Sequence, residues 1–193
     1  LFMSQQISLV CRTFVGLLRS FRKLVPLLSF DTLHTAISTT IMSRLDYGNS
    51  LYLELPSGLL DKLQVVQNDA ACLLFRVPRF THASPLLRKL HWLPSWQRIL
   101  FKVLCTVHRA VWGSGHGSIA DHLVRYLPGH SLRSSTANPL RIPRSRKSTV
   151  GGRSFSVCAP SSWNALPSSI RLEHQYLIFH KLLKAHLFQA VFN

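Results

Sequence analysis

The chain has 193 residues, 47% of them hydrophobic, and its 23 Lys and Arg stand against only seven Asp and Glu, a formal net charge of +16. That length and apolar content support a real core and exclude wholesale disorder, while the charge excludes basic surfaces as partners and favours polyanions. Cys11, Cys72, Cys105 and Cys158 are dispersed without a C-x-x-C pair, and no secretory leader is recognisable, so they read as reduced core thiols of an intracellular protein, cytoplasmic or nuclear.

The spacing of Ile7, Val10, Cys11, Phe14, Leu17, Leu18, Phe21, Leu24 and Val25 predicts a first helix over 4–25, ended by Pro26. Arg12, Arg19, Arg22 and Lys23 lie on or beside its polar face, a pattern that also suits an anionic membrane surface. A membrane span is not expected, because it needs about 20 mostly apolar residues and the charge-free run Thr32–Ser43 is short and rich in Thr and Ser. Ser29 is placed to cap a second helix through Leu33, Ile37, Ile41 and Leu45 that stops at Gly48. After the break Pro56-Ser57-Gly58, a third helix over 59–75 buries Leu60, Leu63, Val66, Ala70 and Leu74 and shows Asp61, Lys62, Gln64 and Asn68.

Ser84-Pro85 opens a short helix to Leu90, and Leu93-Pro94 then pushes the chain out of helical geometry. Ser95 is expected to cap a new helix to Trp112 with Trp96, Ile99, Leu100, Val103 and Leu104 on its apolar stripe. Arg98, Lys102 and Arg109 fall off that stripe, free to face an anion. Gly113, Gly115 and Gly117 form a loop, followed by one or two turns over 118–127 closed by Pro128-Gly129. Cys105, His108, His116 and His122 match no zinc-ligand spacing, so no metal and no other cofactor is expected.

From His122 to Leu172 the chain holds no acidic residue, while Arg125, Arg133, Arg141, Arg144, Arg146, Lys147, Arg153 and Arg171 accumulate. Pro139, Pro143 and Gly151-Gly152 forbid a long helix, which predicts an extended segment with a short strand over 154–158 paired with 140–142 as a hairpin. Arginine forks and interspersed hydroxyls suit contact with a phosphate backbone, without reading its sequence. The candidate contacts are Arg98, Lys102, Arg133, Arg141, Arg144, Arg146, Lys147 and Arg153; the competing reading of the segment is a solvated linker. Trp92, Trp96, Trp112 and Trp163 are expected to be buried rather than to stack on bases. The chain closes with a helix over 172–191 carrying Leu172, Tyr176, Phe179, Leu183, Leu187 and Ala190 along one face. The expected class is thus mainly α: a multi-helix bundle over 1–129, a basic, largely irregular segment with a hairpin over 130–171, and a C-terminal helix over 172–193.

Several of these pieces resemble, in order and spacing, the region downstream of the polymerase core in reverse transcriptases of non-LTR retrotransposons, the jockey-like and related long interspersed elements. They are SRLDYGNSLY at 43–52, LDKLQVVQNDAACLL at 60–74, HWLPSWQRILFK at 91–102, SLRSS at 131–135, GGRSFSVCAPSSWNALP at 151–167 and FHKLLKAHLF at 179–188. His180, Gly48 and Trp96 depart from the pattern, standing where Lys, Cys and Arg are common.

The resemblance implies an enzyme that copies RNA into DNA, but the residues for that reaction are not found. Two-metal phosphoryl transfer needs carboxylates close enough to hold two ions about 4 Å apart, and no two of Asp31, Asp46, Glu54, Asp61, Asp69, Asp121 and Glu173 are adjacent in sequence. Asp46 lies in the downstream motif and is expected to end a helix. A chain opening on Leu1, with its first Met at position 3, fits a carboxy-terminal, thumb-side fragment. No catalytic residue and no small-molecule substrate are expected. The partners expected are RNA or DNA through backbone contacts and, intramolecularly, a missing upstream palm. The alternative is a helical interaction module or an inert translated remnant without a specific partner.

Overall fold

A computed structural model describes residues 2–53, 55–113, 115, 117–126, 138–143 and 154–192. The protein is mainly helical. Its elements are α1 (Phe2–Leu24), α2 (Phe30–Ile37), α3 (Ser43–Asp46), α4 (Ser57–Leu74), α5 (Ala83–Lys89), α6 (Ser95–Val111), α7 (Gly117–Ala120), α8 (Phe155–Asn164), α9 (Ser168–Arg171) and α10 (Tyr176–Phe192). They form two compact units that divide between Arg98 and Ile99, inside α6, with Phe192 grouped with the first. Helices α8 and α10 share one core with the later turns of α6, where His108 lies beside Trp163 and Phe179.

In the first unit α1 packs on α4, with Ile7, Phe14 and Leu18 of α1 and Leu63, Val66, Ala70 and Leu74 of α4 all buried. The capping role of Ser29 is observed: its hydroxyl accepts the backbone N–H of Thr32 at 3.2 Å. Gly48 ends the second helical stretch in the left-handed region at φ +65°, where a side chain would be strained. Between these points the stretch is not uniform, since residues Ser38–Met42 form a π turn joining α2 to α3. Hydroxyls account for it locally: Thr40 Oγ1 donates to Ala36 O at 2.6 Å, Thr39 Oγ1 to Thr35 O at 2.9 Å, and Ser43 Oγ to Thr39 O, each competing for ladder carbonyls.

Two helices close on a residue other than glycine. Helix α4 ends with Arg76 at φ +56° and Val77 N–H bonded back to Cys72 O at 3.0 Å. Helix α5 ends with His91 at φ +52° and Trp92 N–H bonded to Leu87 O at 3.0 Å. Both are six-to-one closures built on a residue other than glycine, so the chain has already left the helix before Leu93-Pro94. Arg76 offsets the strain of its conformation by donating through Nη2 to Val25 O and Leu28 O at 3.1 and 3.0 Å. Helix α5 also starts one residue before Ser84, which lies inside it rather than capping it.

In the second unit Gly113 closes α6 at φ +79°, as its position in the sequence predicts. The centre is His108, 1% exposed, whose ring stacks on Phe179 with centroids 4.1 Å apart. Its Nε2 lies 2.8 Å from the carbonyl of Glu173. Trp163 is fully buried and donates from Nε1 to Asn138 O at 3.2 Å. Trp92 is buried too, whereas Trp96 and Trp112 are only half-buried.

The strand expected over 154–158 is instead the start of α8. Its apolar residues Cys158, Ala159 and Trp163, with Leu166 just beyond its end, recur at helical spacing and are buried, and that periodicity over the longer window outweighs the local strand preference of Phe155 and Val157. Leu140 pairs with Arg125 as an isolated antiparallel bridge. Helix α10 begins at Tyr176, after Glu173 accepts the N–H of Gln175 at 2.7 Å, and buries Phe179, Leu183 and Leu187.

Candidate nucleic-acid interface

Arg98 is not free for an anion. Its Nε donates to Asp46 Oδ1 at 2.8 Å and its Nη2 pairs with Oδ2, a bidentate clamp with the Arg98 side chain only 18% exposed. Asp46 also accepts from Asn49 Nδ2 at 3.4 Å, so the guanidinium braces the turn that follows α3. Helical periodicity puts Arg98 on the polar face of α6, and a carboxylate 52 residues away in sequence occupies it. Lys102, one turn on, is exposed. Arg141 is exposed as well. Arg133, Arg144, Arg146, Lys147 and Arg153 lie outside the described residues.

The other polar residues of the recurring motifs also hold the fold. Gln67 is fully buried; its Nε2 donates to Leu93 O at 2.8 Å and its Oε1 accepts the hydroxyl of Ser95 at 3.2 Å. Gln64 Oε1 accepts the backbone N–H of Ser95 at 2.8 Å, and its Nε2 donates to Asn68. The Ser95 hydroxyl, expected to cap α6, is engaged with Gln67 instead. Asp69 is 7% exposed and receives Arg79 in a bidentate pair at 3.0 and 2.6 Å, which holds the Arg79 guanidinium above its usual pKa. Buried amides and carboxylates must be satisfied, and these pairs bind the motif at 60–74 to the segment around Pro94 and to the loop after α4. Exposed-face spacing concealed this role for Gln64, and Gln67 carried no assignment from spacing.

Around residue 125 a two-rung ladder forms. Tyr126 N–H donates to Pro139 O at 3.0 Å and Arg141 N–H to Val124 O at 2.8 Å, flanking the bridged pair Arg125 and Leu140. Asn164 grips the same extended segment from α8, accepting Leu140 N–H through Oδ1 and donating Nδ2 to Leu140 O, both at 2.8 Å. Arg125 donates from Nη2 to Val111 O at 2.9 Å and lies over the Trp112 ring at 5.6 Å. Arg109 covers Tyr176 at 4.2 Å. Two of the cations of this unit are therefore engaged with carbonyls or rings, while Lys102 and Arg141 form no ion pair among the described residues.

Burial dominates the titrating groups. The Cys105 thiol is pushed up to about 11 by desolvation, and His108 is lowered below its usual value for the same reason, against the raising influence of Glu173. Among the described residues no three His, Cys, Asp or Glu side chains come together as ligands for an ion, and no helix is long and apolar enough to cross a membrane. No family model, curated protein or solved structure matches the chain.

Proposed function

We propose that the chain is a non-catalytic, nucleic-acid-binding part of a protein related to non-LTR retrotransposon reverse transcriptases, its helices forming a thumb-side bundle that contacts an RNA or DNA backbone. The observation that carries this reading is the charge distribution: residues 99–193 hold twelve Lys and Arg against two acids, whereas residues 1–98 hold eleven against five. The first unit engages two of its Arg in bidentate carboxylate pairs; in the second, exposed Lys102 and Arg141 form no such pair among the described residues. The motifs behind the resemblance fit the same proposal, since Asp46 with Arg98, Gln64 and Gln67 with Ser95, and Asn164 with Leu140 join one motif or loop to another. An upstream palm as intramolecular partner, and a cytoplasmic or nuclear setting, belong to this proposal.

The test is binding to RNA, DNA and heparin titrated with salt. Each phosphate contact contributes about −0.9 to the log–log salt slope on duplex DNA and about −0.7 on single strands, so a slope of several units with nucleic acid held more tightly than heparin is the expected result. Heparin bound as tightly as nucleic acid overturns it and favours an interaction module, to which the exposed Leu177, Ile178 and Leu182 on α10 would contribute. Templated primer extension with Mg²⁺ by the chain alone would overturn the non-catalytic part.

A further inference from the structure

The two-rung ladder has two faces. Hydrogen bonds from Tyr126 to Pro139 and from Arg141 to Val124 bracket the Arg125–Leu140 pair, so side chains alternate across it. Leu140 goes to the core at 2% exposure. Val124 and Tyr126 are 53% and 47% exposed, and Arg141 is exposed between Leu140 and Ile142. Beside them opens a concavity of about 570 Å³ lined by Tyr126, Pro139, Leu140, Arg141, Ile142 and Asn164.

We infer that this concavity seats one unpaired nucleotide, the base lying on the Tyr126 ring and the phosphate meeting the Arg141 guanidinium. The inference rests on the nucleic-acid reading above and names where, and in which form, the polymer is held. A half-exposed phenol ring next to Ile142 and Pro139 offers an apolar platform that a base can cover, and a base in a duplex has no free face to present to it. An exposed arginine at the rim supplies the fork for phosphate. Charge complementarity selects a polyanion over an apolar peptide, because no acid occurs between His122 and Leu172. Both polar atoms of the Asn164 amide are engaged by Leu140, so Asn164 stiffens the floor of the seat and leaves no amide to read a base edge. The seat therefore accepts any base.

The experiment compares single-stranded and duplex RNA of equal length, by anisotropy, with the full chain and its Tyr126→Ala, Tyr126→Leu, Tyr126→Phe and Arg141→Gln variants. Tyr126→Ala is expected to weaken single-strand binding at least about five-fold while leaving duplex binding unchanged. Tyr126→Phe keeps the ring and retains affinity; Tyr126→Leu keeps apolar area without a stacking face and loses it. Arg141→Gln lowers the single-strand salt slope by about 0.7. If the wild-type chain binds nucleic acid but the Tyr126 variants, with unchanged helical circular dichroism, lose nothing or lose both forms equally, the seat is refuted and the broader reading stands. If the wild-type chain holds heparin as tightly as RNA, both fall together.

Discussion

The amide of Gln67, inside α4, donates to the carbonyl of Leu93 at 2.8 Å while its oxygen accepts the hydroxyl of Ser95, so one buried side chain fixes both ends of the Leu93-Pro94-Ser95 turn. Gln67→Leu is close to isosteric but leaves the Leu93 carbonyl without its partner. A loss of about 1–3 kcal/mol in urea unfolding is expected, with binding to nucleic acid unchanged once the protein is folded. A variant as stable as the wild type would show that the carbonyl finds another donor.

The Arg98–Asp46 clamp engages one cation of α6, whereas Lys102, one turn on, is exposed. Arg98→Gln is expected to cost about 1 kcal/mol, modest because the Asp46 side chain is 39% exposed, and to leave the salt slope of RNA binding as it was. Lys102→Gln reverses the pattern, with unchanged stability and a smaller slope. Equal effects of the two on the slope would return Arg98 to the interface.

How far these roles were legible in the sequence depends on distance along the chain. Ser29, Gly48 and Gly113 punctuate helices through their own backbone preferences, and each does so where local spacing places it. The π turn at Ser38–Met42 escapes because periodicity registers apolar positions and not hydroxyls competing for carbonyls. Arg98 and Gln64 sit at positions that read as polar and exposed, and only the tertiary fold brings Asp46 and Ser95 to them. Tyr126 carried no signal at all: only the bridge to the segment near residue 140 brings it to the same concavity as Arg141. Helix α8 shows its period only over its ten residues, Phe155–Asn164, and the five residues Ser154–Cys158 are too short to display it.

Asn164 and Trp163 hold the extended segment around Leu140 against α8. Trp163→Ala removes a fully buried indole and is expected to cost about 3–5 kcal/mol. Asn164→Ala leaves Leu140 N–H and C=O unpaired, costing about 1–3 kcal/mol, and it should also weaken single-strand binding by loosening the floor under Tyr126. Hydrogen exchange at Leu140 reads this directly; an amide equally protected in Asn164→Ala would disprove the anchoring.

Thiol chemistry offers an independent check on packing. Cys11 is half-buried on α1, Cys72, Cys105 and Cys158 are buried, and Cys105 titrates near 11. Since the thiolate is the reactive form, an aromatic disulfide reagent at pH 8 should modify Cys11 first and Cys105 only on unfolding. Rapid reaction at Cys105 would mean that the packing around Tyr176 opens readily.

His108 should make stability depend on pH. Its folded pKa lies below the usual value of about 6.5, chiefly through burial, so the native state keeps the ring neutral where the unfolded chain takes up a proton. Stability from this group is complete above about pH 6.5 and is lost progressively as pH falls from there toward the folded pKa. His174 and Arg109 add to the lowering, and the Glu173 carbonyl and charge oppose it. His180 is lowered in the same direction by burial with Lys184 and Arg109 and contributes to the same window. His108→Gln retains a donor for the Glu173 carbonyl and does not titrate, so its unfolding midpoint should fall less between pH 7.5 and pH 5.5 than that of the wild type. Parallel pH profiles for the two proteins would assign the acid sensitivity elsewhere.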